Sequence, residues 1–113
     1  MKSPKALRIG GREWPVRYLP RSKMEGNLGL THYDKGCIDV ATGQPAFDTR
    51  DTLLHEAFHA ILAQQGRENQ GSEEEELYVR ALATGLMGVL QDNPEFAQWL
   101  IQPLSKRRPD GQP

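Results

Sequence analysis

The residues best suited to chemistry form the run His-Glu-Ala-Phe-His at residues 55–59. On a helix, side chains four positions apart lie on one face, so the imidazoles of His55 and His59 can reach the same metal ion. Zinc is the expected ion, because it accepts imidazole nitrogen and because a catalytic zinc site uses three protein ligands and one water. Glu56 points about 100° around the helix from His55, where its carboxylate can take a proton from that water. We therefore predict zinc ligation by His55 and His59 and a general-base role for Glu56.

A third protein ligand is needed, and the residues directly after the motif do not supply it. Residues 60–65 are Ala-Ile-Leu-Ala-Gln-Gln, so the extended motif with a glycine and a third histidine is absent. The acidic run at residues 73–76 is the remaining source. Glu75 follows Ser72 at the spacing of a capping box, whereas Glu76 shares a helical face with the apolar residues that must pack on the motif helix. We expect Glu76 to be the third ligand, with Glu75 as the alternative.

Two β-hairpins are predicted before the motif. Residues 7–9 and 13–19 flank a Gly-Gly pair, and alternation in the second segment favours a strand in which Pro15 indicates a sheet edge. Residues 28–33 and 37–40 flank Asp-Lys-Gly and predict a second hairpin. The segment before the motif should therefore form a small, mainly antiparallel sheet.

After the second hairpin, the apolar residues recur with a period of 3.6 residues, which predicts helices. The apolar positions of the motif helix are Leu54, Phe58, Ile61 and Leu62. Asp48 or Thr49 can cap its start, and Gly66 can end it. We expect this helix to pack on the sheet and to carry the metal ligands.

A long second helix is predicted from Ser72, and a short third helix follows it. Gly85 and Gly88 lower helix propensity, so they predict a close approach to another backbone. Asn93 and Pro94 have the types expected at a helix N-cap and first position, with the third helix running to about Ile101. The fold class is therefore α+β, with the sheet packed by the motif helix and the second helix.

Composition excludes several classes of function. The chain has 113 residues and a net charge of −1, so no overall field favours nucleic acid or a membrane. We expect a single domain at residues 1–102, a disordered basic and proline-rich tail at residues 103–113, and a cytoplasmic location. The lone cysteine, Cys37, cannot form an intramolecular disulfide and is expected to be a half-buried strand residue.

The sequence resembles the gluzincin branch of the zincin metallopeptidases, and more closely the short HExxH proteins of phages and the ImmA/IrrE-like peptidases. The matching segments are Thr-Leu-Leu-His-Glu-Ala-Phe-His-Ala at 52–60 and Glu-Leu-Tyr-Val-Arg-Ala-Leu-Ala at 76–83. The order of elements extends the resemblance over about residues 28–95. The resemblance implies zinc held by two histidines and Glu76, a minimal zincin-like fold, and hydrolysis of peptide bonds.

The resemblance also suggests how a substrate would be held. It implies an edge strand before the motif helix that binds an extended peptide, with Asp39 on or near that strand. His32, Tyr33 or Tyr78 could donate a hydrogen bond to the oxyanion of the tetrahedral intermediate. Arg80 stands where the ImmA/IrrE-like proteins often have asparagine, so substrate and regulation do not carry over.

Three hypotheses of different classes follow from the sequence. The first is a zinc metallopeptidase that acts on a peptide or protein substrate. The second is a zinc-stabilised protein-binding module with a zincin fold and no catalytic activity. The third is a metal-free interaction domain in which the histidine pair is incidental. Metal content separates the third hypothesis from the others, and a hydrolysis assay separates the first two.

Overall fold

A computed structural model describes residues 2–66 and 72–104 of the chain. The elements, in order, are β1 (Ala6–Ile9), β2 (Arg12–Leu19), a 3-10 turn (Arg21–Lys23), β3 (Gly29–His32), β4 (Cys37–Ala41), α1 (Ala46–Gln64), α2 (Glu73–Asp92) and α3 (Pro94–Ile101). The predicted α+β class is confirmed, with a mostly antiparallel sheet and a short C-terminal helix.

The sheet has the strand order β1-β2-β4-β3. β1 pairs with β2 and β3 pairs with β4, both antiparallel, so both predicted hairpins are confirmed. A parallel pairing of β2 with β4 joins the hairpins. The prediction that Pro15 marks an edge strand is wrong, because β2 is an inner strand. Pro15 is nevertheless tolerated, since pairing with β4 begins one residue later, at Val16.

One face of the sheet forms the core with α1. The buried cluster consists of Trp14, Val16, Ile38, Val40 and Ala60. Along β4, Ile38 and Val40 face this core, so the intervening Asp39 faces the other side of the sheet, as the period of two requires. α1 also packs against α2 and the edge strand β3. The motif helix is therefore held between the sheet and the second helix.

The start of α1 differs from the prediction, and its end agrees. The N-cap is Pro45 rather than Asp48 or Thr49, and Asp48 lies in the first turn, where its charge favours the helix dipole. Gly66 has a φ of 76°, and its N–H donates to Ala63 O, as expected for a glycine that follows a helix end.

The starts of α2 and α3 agree with the sequence. Ser72 is the N-cap of α2, and its Oγ accepts a hydrogen bond from the Glu75 N–H at 3.2 Å. Pro94 opens α3 directly after Asn93. The expected close approach at Gly85 and Gly88 is wrong for the described residues, because among them a Cβ at either position would meet nothing within 4 Å outside its own helix backbone.

Cys37 lies half-buried on β4, as predicted. The predicted tail at residues 103–113 lies outside the described residues, except for Pro103 and Leu104, which are exposed. Within residues 2–66 and 72–104, no helix combines the length and apolar character needed to cross a membrane.

Candidate metal centre

The two motif histidines lie side by side on α1, one helical turn apart. Their ring centroids are 5.0 Å apart with an interplanar angle of 62°. His59 is 4% exposed, whereas His55 is half-buried. The predicted convergence of the two imidazoles is therefore present in the structure.

Glu76 of α2 meets both imidazoles with one carboxylate. Its Oε1 lies 2.7 Å from His55 Nε2, and its Oε2 lies 2.8 Å from His59 Nε2. Burial disfavours the charged carboxylate, but the two imidazoles outweigh this effect and hold the pKa of Glu76 below its usual value. The three side chains form a group able to hold a metal ion.

The chemistry of this donor set fits zinc. Two imidazole nitrogens and one carboxylate are the three protein ligands found in one class of catalytic zinc site. Two ligand atoms at about 2.0–2.1 Å from one tetrahedral ion lie about 3.3 Å apart. The two distances between the Glu76 oxygens and the histidine Nε2 atoms would therefore lengthen by about half an ångström when zinc binds. The Glu76 side chain is 37% exposed, which leaves it room to make this adjustment.

Glu75 has a role that its sequence position did not reveal. Its side chain is buried, at 2% exposure, and its Oε1 lies 2.7 Å from His59 Nδ1. Successive helix positions point about 100° apart, so the neighbouring glutamates Glu75 and Glu76 reach opposite nitrogens of one ring. The prediction that Glu75 serves helix capping is therefore incomplete, because its carboxylate fixes the orientation of His59.

Glu56 lies beside the group and does not belong to it. Its Oε2 is 4.0 Å from His55 Nε2, and its Oε1 accepts a hydrogen bond of 2.6 Å from the Thr31 hydroxyl of β3. Burial raises the pKa of Glu56, although the Thr31 hydrogen bond and the two histidines oppose the shift. A carboxylate with a raised pKa is better matched to proton transfer near neutral pH.

A glycine on β3 makes the position of Glu56 possible. A Cβ at Gly29 would lie 2.9 Å from both Cγ and Oε2 of Glu56 and 2.7 Å from Cγ2 of Thr52. Such distances are too short for non-bonded carbon and oxygen atoms. Gly29 therefore allows the edge strand to approach the motif helix closely.

A cleft of about 410 Å³ opens over the group. Its lining includes Gly29 and Leu28 beside the edge strand, and Glu56 and Glu76 at the metal group. Arg80, one turn after Glu76, also lines the cleft, with its Nη2 3.7 Å from Glu76 Oε1. The edge strand beside this cleft is β3. Asp39, which was expected on or near such a strand, lies on the neighbouring inner strand β4, opposite Leu30 of β3.

The three candidate oxyanion donors have different surroundings. Tyr33 is half-buried, and burial raises its pKa to about 12, with further contributions from the negative charges of Glu75, Glu56 and Glu76. The His32 Nε2 instead lies 2.7 Å from Asp39 Oδ2. Tyr78 is 64% exposed and lines a separate groove.

Comparison of the chain with protein-family models, with curated proteins and with solved structures found no match. The function must therefore be inferred from the residues and geometry of the site.

Proposed function

We propose that the protein is a zinc-dependent hydrolase of the metallopeptidase type. The observation that carries the proposal is the position of Glu76, whose two carboxylate oxygens lie within 2.8 Å of the Nε2 atoms of His55 and His59. In this account the three residues hold zinc and Glu56 is the general base. An accidental histidine pair would need neither a shared carboxylate nor a buried second carboxylate on His59.

The residues around the site have distinct tasks in peptide hydrolysis. Bound zinc would polarise the substrate carbonyl and lower the pKa of a water molecule. Glu56 accepts the proton of the attacking water and returns it to the leaving amine. Thr31 orients the Glu56 carboxylate through its short hydrogen bond. Tyr33 is our candidate donor to the developing oxyanion, because His32 is bonded to Asp39 and Tyr78 lines the other groove.

An extended peptide is the substrate class that best fits the cleft. β3 is an edge strand, so its outward backbone groups can pair with an added strand. This edge adjoins the cleft through Gly29, which lies two residues before Thr31 and its hydrogen bond to Glu56. A peptide paired with β3 would place a backbone carbonyl near the metal group.

We include a cytoplasmic location in the proposal, because Cys37 is free and a reducing compartment preserves free thiols.

A Glu56→Gln variant tests the catalytic part of the proposal. Wild type and variant, each loaded with one equivalent of zinc, are incubated with a mixture of synthetic peptides of varied sequence, and products are detected by mass spectrometry. Because an amide cannot accept the proton, we expect cleavage to fall by about 10²–10⁴-fold while zinc content stays unchanged. Equal cleavage by both proteins would contradict the role of Glu56.

The alternative is a zinc-stabilised binding module without catalysis, and one observation favours it. An apolar groove of about 380 Å³ lies between α1 and α2, lined by Phe58, Ile61, Tyr78 and Leu82 among others. Tyr78 and Leu82 are 64% and 63% exposed and line the same groove, so they form part of one exposed apolar surface. Retention of zinc with no cleavage of any peptide by the wild type would favour this alternative.

A further inference from the structure

The sheet face opposite α1 carries a second cluster of possible metal ligands. Cys37 and Asp39 are two positions apart on β4, so both side chains point to this face. His32 of β3 is paired directly with Cys37 in the antiparallel register, so it lies on the same face. Two alternate positions on one strand and one position on its neighbour form a triangle of side chains.

The distances within this cluster are those of potential ligands of one ion. His32 Nε2 lies 2.7 Å from Asp39 Oδ2. One ligand atom from each of the three residues lies within 4.8 Å of the other two. Asp39 is 3% exposed, whereas His32 and Cys37 are half-buried, so an ion could enter from the solvent side.

We propose that His32, Cys37 and Asp39 form a second binding site for a divalent metal ion of the zinc class. A thiolate, an imidazole and a carboxylate suit zinc, while the sulfur disfavours magnesium and calcium. Binding would release the thiol proton of Cys37, because the thiolate is the ligand. The site is independent of the proposed hydrolase function, since it shares no residue with the first group.

The Arg17 guanidinium competes with a metal ion for the carboxylate of Asp39. Its Nε and Nη2 lie 2.7 Å and 2.8 Å from the two carboxylate oxygens of Asp39. A divalent ion would have to displace this guanidinium from at least one oxygen or bind beside its positive charge. The Arg17 side chain is 52% exposed, so it can swing into solvent when an ion binds. The second site should therefore bind metal more weakly than the first.

The single cysteine allows the two sites to be distinguished by spectroscopy. Cobalt(II) substitutes for zinc, and a thiolate ligand adds a near-ultraviolet charge-transfer band to its spectrum. Cys37 is the only cysteine in the chain, and the first group has no sulfur. The band therefore reports the second site alone.

The test is a cobalt titration of the full chain, begun metal-free. We expect the first equivalent to give no thiolate band and the second to produce it. Cys37→Ser should abolish the band, whereas His55→Ala should keep it. Asp39→Asn and His32→Ala should each weaken the affinity reported by the band by more than about tenfold, and Arg17→Gln should strengthen it on the order of tenfold by removing a competing charge.

Alkylation of the wild-type protein provides a second measurement that needs no variant. Zinc beyond one equivalent should slow the reaction of Cys37 with iodoacetamide at least tenfold. A wild type that shows no thiolate band and no protection would overturn the proposal. A band whose affinity is unchanged in both Asp39→Asn and His32→Ala would also overturn it, because the thiol alone would then be binding cobalt.

Discussion

Oε1 of Glu75 lies 2.7 Å from Nδ1 of His59, and both side chains are buried. In the tautomer with its proton on Nδ1, His59 donates an N–H to this carboxylate, and Nε2 is then the atom that can bind a metal ion. Because the neighbouring Glu76 lies on the Nε2 side, α2 determines both the orientation of His59 and the ligand beside it.

The first prediction concerns the two neighbouring glutamates. We expect Glu75→Ala to weaken zinc binding by about 10–100-fold, because an outer partner of a ligating histidine contributes to metal affinity. Glu75→Gln should recover part of the loss, since an amide oxygen can still accept from Nδ1. Glu76→Ala should weaken zinc binding more than Glu75→Ala, because it removes a direct ligand. Chelator competition measures all three affinities.

Glu73→Ala is the matched control for these variants, because Glu73 is exposed in the same first turn of α2. It should leave zinc affinity unchanged. If Glu75→Ala behaves like this control, the bond to His59 has no role in metal binding.

A second prediction concerns the close approach of β3 to α1. Gly29→Ala should lower peptide cleavage by at least about tenfold, since the new Cβ would displace the Glu56 carboxylate by part of an ångström or more. Zinc content should stay near that of the wild type, because the ligands lie elsewhere. Gly85→Ala is the control and should raise the free energy of unfolding by about 0.5–1 kcal/mol, because its Cβ would meet no neighbouring element within 4 Å in the part of the chain that the structure describes. Full activity in Gly29→Ala would show that the position of Glu56 is not critical.

The third prediction tests Tyr33 as the donor to the oxyanion, with Tyr78 as the matched control. Tyr33→Phe should lower kcat by roughly 10²-fold with little change in zinc affinity, as expected for loss of one oxyanion donor. Tyr78→Phe should leave kcat unchanged, because Tyr78 lies in the groove between α1 and α2. Steady-state kinetics on one cleaved peptide measures both effects. A larger loss of kcat in Tyr78→Phe than in Tyr33→Phe would contradict the choice of Tyr33 as the oxyanion donor.

The pH dependence of stability gives a prediction for Asp39. Burial opposes its charge, but hydrogen bonds and charges from Arg17 and His32 outweigh burial, so the pKa of Asp39 lies below its usual value of 3.8. The resulting stability is complete above the unfolded-state pKa and is lost as pH falls through the lower folded-state pKa. Asp39→Asn should therefore cost roughly 1–3 kcal/mol of unfolding free energy at pH 7, and less as the pH falls below 3.8.

Urea unfolding across pH, with a chelator present to exclude metal binding, measures this difference. Asp34→Asn is the control, because Asp34 is exposed in the turn between β3 and β4. A destabilisation by Asp39→Asn that does not diminish at acidic pH would contradict the charge-based explanation.

The sequence predicted what depends on local spacing. The relative positions of His55, Glu56 and His59 followed from helical periodicity, and Glu76 was chosen for the apolar face that it shares on the second helix. The distance between Glu76 and the histidines depends on the packing of α2 against α1, which no local pattern gives. The interaction of Glu75 with His59 could not be derived in this way, because the capping-box spacing gave Glu75 a sufficient local role.

Non-local pairing accounts for most of what was missed in the fold. Pro15 suggested an edge strand, but the parallel pairing of β2 with β4 is set by tertiary packing and has no signal in either strand. The same pairing places Arg17 opposite Asp39, a contact between residues 22 positions apart. The predicted second hairpin already pairs His32 with Cys37, whereas the position of Arg17 against Asp39 became visible only when the strand order was known.

The most direct test of the account is the zinc stoichiometry of a Cys37→Ser protein, in which the second site is disabled. The protein is purified without added metal or a histidine tag, and zinc is measured by atomic spectroscopy before and after dialysis against a competing chelator. We expect one zinc per chain in Cys37→Ser and none when His55→Ala and His59→Ala are added to it, because one carboxylate cannot hold zinc against a chelator. One zinc per chain retained in the triple variant would contradict the assignment of His55, His59 and Glu76 as the metal centre.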